Sequence, residues 1–230
     1  MKPVKISYYS DVLCIWAYVG QKRLEQLVTD FGDQIQIEPH FCSVFPDARG
    51  KIEEKWATRG TYDGFNSHVN EVAASFPHVN VNDRLWLDTR PRSSGTPHLF
   101  LKAIELIETE DSDASLPPYL ERISTRAAWV VRAAFFRDGR DISCHAVHRE
   151  IAGELDLDFA RIETKIHSAE AVAELARDYH MCTQHGIEGS PTYVLNNGRQ
   201  KLFGNVGYRL IEANVQELIR SPGSDDASWC

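Results

Sequence analysis

The sequence predicts an α/β fold in two separated halves: a strand–helix–strand unit at the amino end and a strand–strand–helix unit at the carboxyl end, with a large all-helical insertion between them. Three observations predict it. Alternating β-rich patterning is confined to the two ends of the 230 residues, helical periodicity fills the middle, and strong turn signals separate the pieces.

The first strand is read over Val4 to Tyr9, which alternates and carries β-branched and aromatic residues. Ser10-Asp11 follows as a turn and helix-cap signal. From about Cys14 to Phe31, the apolar positions Trp16, Val19, Leu24, Leu27, Val28 and Phe31 recur at helical spacing, and Gly32 stops the helix. Ile35, Ile37, Pro39 and Phe41 alternate as a second strand. A right-handed crossover with a parallel pair is the natural topology for these pieces.

The middle, from about Pro46 to Gln184, reads as helices and loops. Helices are expected from about Leu99, from Tyr119 to Arg137, over Ser143–Leu155, over Asp158–Ile166 and from Ala169 to Tyr179. The stretch 77–97 is rich in Asn, Pro and Ser and is expected to be a long loop, a natural lid. Strand signals return at Thr192-Tyr193-Val194-Leu195. Asn196-Asn197-Gly198 signals a hairpin, Gln200 to Phe203 is the returning strand, and Tyr208 to Ile219 is an amphipathic helix. Residues 221–230 read as a flexible tail. Together the two ends make the arrangement of a thioredoxin fold, βαβ plus ββα. Residues 1–45 and 185–220 are its expected domain and 46–184 the inserted helical domain.

Composition narrows the function. Hydrophobic residues make up 43%, enough for a packed core, and the formal net charge is −8, which repels phosphate backbones and argues against nucleic acid. No apolar run approaches the ~18 residues of a membrane span. The amino end shows no targeting stretch, so a cytoplasmic location is expected, where thiols are mostly reduced.

Five cysteines, Cys14, Cys42, Cys144, Cys182 and Cys230, lie too far apart in sequence for a zinc pattern or a dense disulfide framework. No metal site is expected. His145 and His148 share a helix face without a third ligand, and His180 and His185 read as solvated. Cys14 stands out because it falls at a strand–helix junction, where unpaired N–H groups and the helix dipole favour a thiolate. Its pKa is therefore expected below the free value of about 8.5. Asp11, close before it, reads as a helix cap, or as a charge that raises the thiol pKa. Trp16 reads as packing at the rim of the site. Cys144 and Cys182 read as structural, and Cys42 and Cys230 as remote candidates for a resolving thiol.

The segment Ser10-Asp11-Val12-Leu13-Cys14-Ile15-Trp16-Ala17-Tyr18-Val19-Gly20 resembles the active-site segment of the DsbA family, nearest its FrnE-like branch. Gly186-Ile187-Glu188-Gly189-Ser190-Pro191-Thr192-Tyr193 resembles that family's cis-proline loop, and Thr96-Pro97-His98 and Arg132 to Ile142 resemble helices of its inserted domain. The resemblance implies that Cys14 is the nucleophile and that Ser190 and Pro191, with Trp16 and Asp11 nearby, bind an extended thiol peptide such as glutathione. Ala17 stands where the family has its resolving cysteine, and Ile15 where it has proline. A mixed disulfide on Cys14 then needs an outside thiol, and glutathione is the implied co-substrate, with no bound cofactor. The expected activity is monothiol thiol–disulfide exchange on thiol- or disulfide-containing peptides or small molecules. Two alternatives remain open. One is a glutathione transferase or isomerase resembling the kappa-class transferases and the 2-hydroxychromene-2-carboxylate isomerases; the other is a non-enzymatic peptide-binding protein. A homodimer is also open, because relatives of this architecture are often dimers.

Overall fold

The computed structural model describes residues 2–112 and 115–221. The tail expected over 221–230, including Cys230, lies outside the described residues apart from Ser221.

Strand β1 (Val4–Ser10) leads through helix α1 (Ile15–Phe31) to β2 (Ile35–Phe41), and α1 ends at Gly32, whose φ of 48° suits a residue without a side chain. β1 and β2 pair in parallel, Ile6 opposite Ile37 and Ser10 opposite Phe41. At the far end of the chain, β3 (Thr192–Leu195) turns through Asn197 and Gly198, both at positive φ, into β4 (Gln200–Phe203), and α10 (Tyr208–Arg220) closes the fold. β3 lies antiparallel to β1, Tyr8 opposite Tyr193 and Ile6 opposite Leu195, so the sheet order is β2-β1-β3-β4. Pro39 is tolerated because β2 is an edge strand. The two ends therefore build one sheet.

The insertion consists of α2 (Ala48–Lys55), α3 (Thr61–Ala74), the single turn α4 (Leu85–Asp88), α5 (Gly95–Asp111), α6 (Ile123–Phe136), α7 (His145–Glu154), α8 (Phe159–His167) and α9 (Glu170–Gln184). The early helix α2 has little sequence signal: it is mostly polar, and only Ala48 and Ile52 are buried. The expectation of a long lid over 77–97 is corrected. Trp86 and Leu85 are fully buried, Trp86 packs against Phe45, Phe65 and Phe135, and the Tyr18 hydroxyl donates to the Asn80 carbonyl at 3.2 Å. A segment anchored by a buried indole is part of the core, not a flap.

Two large cores result. One face of the sheet (Val4, Ile6, Tyr8, Tyr193, Leu195) packs against Leu24 and Leu27 of α1 and Ile211, Val215 and Leu218 of α10. The second core fills the helical insertion but also takes Val12, Leu13, Ile15, Tyr18 and Val19 from the start of α1. The first turns of α1 thus lie between the two halves, and this places the site at their seam. Among the described residues, no helix is long and apolar enough to cross a membrane.

Candidate functional site

Cys14 is the residue that opens α1, with its backbone still extended (φ −85°, ψ 115°). Its amide donates to the Asp11 carbonyl at 3.1 Å, and its own carbonyl accepts from Ala17 and Tyr18 at 3.1 Å each. The sulfur therefore sits where the first helical N–H groups converge. Across from it runs the loop 186–191, with a cis Ser190–Pro191 peptide. The Cys14 thiol donates to the Ser190 carbonyl at 3.2 Å. The Ser190 hydroxyl accepts from the Asp11 amide at 2.9 Å, so one residue of the loop holds both ends of the Asp11–Cys14 turn. Pro191 passes its carbonyl to the Gly204 amide at 2.8 Å, which ties the loop to the end of β4.

The expected depressed thiol pKa is overturned. Cys14 is only 7% exposed, and burial raises its pKa above the ordinary thiol value. Hydrogen bonding from Ser190 and the Ala17 amide opposes that rise, and the negative charge of Asp11 adds to it. Burial wins over the helix terminus because a thiolate loses its hydration there, while the dipole returns only a fraction of it.

Asp11 does not cap α1, which corrects that reading: the residue at the cap position is Cys14, and Asp11 is fully buried, its charge acting on the thiol as the other reading expected. Its carboxylate accepts from the amides of Leu13 (2.9 Å), Val44 (2.9 Å) and Phe45 (3.0 Å) and from the Ser94 hydroxyl (2.7 Å). Four donors around one carboxylate compensate its burial and hold the turn before Cys14 against the segment after β2 and the start of α5. His98 completes the seat. Its Nε2 accepts from the Val12 amide at 3.3 Å, its ring stacks on Phe41 at 4.5 Å, and burial holds its pKa down at about 4. Sequence reasoning missed Ser94 and the role of His98; the one available signal was the position of His98 beside Pro97 in a family-like stretch.

Trp16 is half-buried on the first turn of α1, edge-on to His68 of α3 at 6.5 Å and to Phe76 at 6.4 Å. On the other side of the loop, the exposed ring of Phe203 lies over Gly189, where a Cβ would come within 2.9 Å of it. Ala17 is fully buried, so no thiol stands at the usual resolving position.

Beside the loop opens a cavity of about 350 Å3 lined by Cys42, Ser43, Val44, Lys51, Lys55, Tyr179, Cys182 and residues 187–189. Lys51 donates to the Val44 carbonyl at 2.7 Å and stands 4.3 Å over the Phe45 ring. No spacing pattern marks Lys51 or Lys55 in the sequence; helix α2 brings them here. Cys182, expected to be structural, instead lines this cavity, while Cys144 is exposed at the start of α7. His185, expected to be solvated, is half-buried and shares a 2.7 Å hydrogen bond with the Tyr9 hydroxyl; His180 is exposed. His145 pairs with Glu163 at 2.9 Å, and His148 is buried on the Ile142 carbonyl at 2.7 Å. The described residues hold no group of three His, Cys, Asp or Glu side chains suited to a metal ion.

Comparison with known proteins agrees with this geometry. Residues 121–216 match the family described as the DSBA-like thioredoxin domain. A search of curated proteins found no match. Among solved structures, a putative protein disulfide isomerase from Nitrosomonas europaea is similar with a TM-score of 0.72 at 15% identity, covering 96% of this chain and 100% of that one. A 2-hydroxychromene-2-carboxylate isomerase is similar at 0.63 and 15%, covering 95% and 97%. The cytosolic disulfide reductase DsbM from Pseudomonas aeruginosa, solved with GSH, is similar at 0.60 and 17%, covering 92% and 99%. At such identities the likeness to solved structures is one of fold. A cysteine turn facing a cis-proline loop, a βαβ…ββα sheet and the match over residues 121–216 lead to one statement: the chain has a thioredoxin-type fold, and over residues 121–216 it matches the DSBA-like thioredoxin domain.

Proposed function

We propose that this protein catalyses thiol–disulfide exchange with Cys14 as its sole active-site nucleophile and glutathione as the outside thiol. The observation that carries the reading is the 3.2 Å contact between the Cys14 thiol and the Ser190 carbonyl. In the resting site that carbonyl holds the thiol proton. An extended peptide ligand donates its own N–H to the same carbonyl, as an added strand would. The thiol then loses its acceptor, and the amides at the head of α1 are left to receive a thiolate. Ligand binding, not the free protein, switches the nucleophile on.

The exchange balances without a second protein thiol. The Cys14 thiolate attacks the glutathione sulfur of a mixed disulfide, the substrate sulfur leaves and takes up a proton, and Cys14 carries glutathione. A glutathione thiolate then attacks that sulfur, giving glutathione disulfide and free Cys14. Two features support glutathione: Ala17 in place of an internal resolving thiol, and the Lys51 and Lys55 ammonium groups in the adjoining cavity, suited to a peptide carboxylate. The GSH in the DsbM structure supports it by analogy. A second reading, a glutathione transferase or isomerase, is favoured by one observation, the burial that keeps Cys14 protonated. The likeness to the 2-hydroxychromene-2-carboxylate isomerase is consistent with it.

Intact-mass measurement separates them. Incubated with glutathione disulfide, the protein is expected to gain one glutathione on Cys14, absent in Cys14→Ser and removed by reduced glutathione. Reversible glutathione binding with no adduct would replace the exchange reading by the transferase or isomerase. Neither adduct nor binding would leave only a peptide-binding protein.

A further inference from the structure

Outside the nucleophile turn, the same loop organises two more thiols. Phe41, the last residue of β2, is gripped at both its polar groups by one helix. Its amide donates to Asp178 of α9 at 2.9 Å, and its carbonyl accepts from the Cys182 thiol, one helical turn later, at 3.7 Å. That carbonyl belongs to the peptide unit that leads into Cys42. The Cys42 thiol in turn points to the Gly189 carbonyl at 4.0 Å, and the Ile187 amide returns to the Cys182 carbonyl at 2.8 Å. Backbone and thiols therefore close a ring, Phe41–Cys42–Gly189–Ile187–Cys182. Both cysteines line the same cavity of about 350 Å3, and both pack in one small apolar cluster with Tyr9, Val194 and Met181.

We propose that Cys42 and Cys182 form a redox-active dithiol, separate from the single thiol Cys14, that is closed to a disulfide by low-molecular-weight disulfides entering the cavity. One thiol, as thiolate, attacks glutathione disulfide and releases one glutathione. The second thiol attacks the protein-bound sulfur and releases the other. The Cys42–Cys182 bond forms, the incoming S–S bond breaks, and the two protein protons end on two glutathione thiols. Cys182 is half-buried and is the entry point, and Cys42, the deeper sulfur, closes the bond. Their buried setting holds both thiols protonated, with Cys182 pushed up to about 12, so reaction is slow at neutral pH. Closure takes the Cys42 sulfur off the Gly189 carbonyl and the Cys182 sulfur off the Phe41 carbonyl.

This proposal requires no step at Cys14, and its test is arranged so that the two stand or fall separately. In the full chain with Cys14, Cys144 and Cys230 each changed to Ser, only Cys42 and Cys182 remain. The native protein is held with glutathione disulfide at mildly alkaline pH, and its intact mass and peptide map are read. The expected result is a species two hydrogen atoms lighter, with peptides 42 and 182 linked, restored by dithiothreitol. One or two persistent glutathione adducts with no linked peptide, or two unmodified thiols, would overturn it. The same treatment after denaturation gives the positive control for thiol reactivity. Loss of the Cys14 adduct in the otherwise unaltered chain would leave this result untouched.

Discussion

Asp11 and Cys14 are three residues apart, and the chemistry of one depends on the burial of the other. The buried Asp11 carboxylate accepts from four donors, and its negative charge pushes the neighbouring thiol toward its protonated form. Asp11→Asn removes that charge and leaves part of the donor set unmatched. The expected result is a loss of about 3 kcal/mol in denaturant unfolding together with a Cys14 thiol that titrates at lower pH. An unchanged thiol titration in the folded variant would show that Asp11 acts only as a scaffold. The sign for Cys14 itself follows from burial. Its folded pKa lies above the ordinary thiol value, so the free protein gains thiolate only as pH rises beyond that value. The place of Cys14 was legible in the sequence, because the end of the alternating strand and the start of the helical spacing put it at the strand–helix junction. Its protonation state was not, because burial is set by residues brought from Val44, Ser94 and Ser190, far away along the chain.

At the scale of elements, periodicity located what it could. The apolar spacing from Trp16 to Phe31 and the alternation from Ile35 to Phe41 became α1 and β2, and Asn197-Gly198 became the hairpin turn. The segment 77–97 misled because its Asn, Pro and Ser residues are turn formers whatever lies beneath them. One buried side chain decides its fate. Trp86→Ala is expected to cost about 3–5 kcal/mol, the range for a large aromatic removed from a core. A lid would lose almost nothing, so equilibrium unfolding of that variant distinguishes the two. α2 escaped notice for a related reason. A helix that buries only two residues of eight, as α2 does, has no stripe to detect, yet it delivers Lys51 to the cavity.

Over the whole molecule, the seam between the halves is polar and buried. Asp178 of α9 holds His40 (2.8 Å) and Lys102 of α5 (2.7 Å), while Lys102 also reaches Glu105 at 2.7 Å. Arg132 of α6 donates to the Ser10 hydroxyl at 2.8 Å. No spacing rule relates Asp178 to Lys102, so the network is a product of topology. The seam also sets the response to acid. His98 is neutral in the folded protein with a pKa of about 4, against 6.5 when exposed. The unfolded chain takes up the proton first, so this contribution is complete above pH 6.5 and is lost as pH falls towards 4. The expected size is about 3 kcal/mol. His98→Gln is expected to flatten that part of the stability–pH curve, and an unaltered acid limb would assign it to other groups. The order of the strands has a consequence for the growing chain. β1 sits between β2 and β3, and β3 starts only at Thr192. During synthesis, the first strand therefore waits with one hydrogen-bonding edge bare until the chain through β3 has left the ribosome. Throughout that wait Cys14 has no Ser190 opposite it. The nascent protein thus carries a cysteine that is open to its surroundings, and the Ser190–Pro191 loop that faces it arrives last.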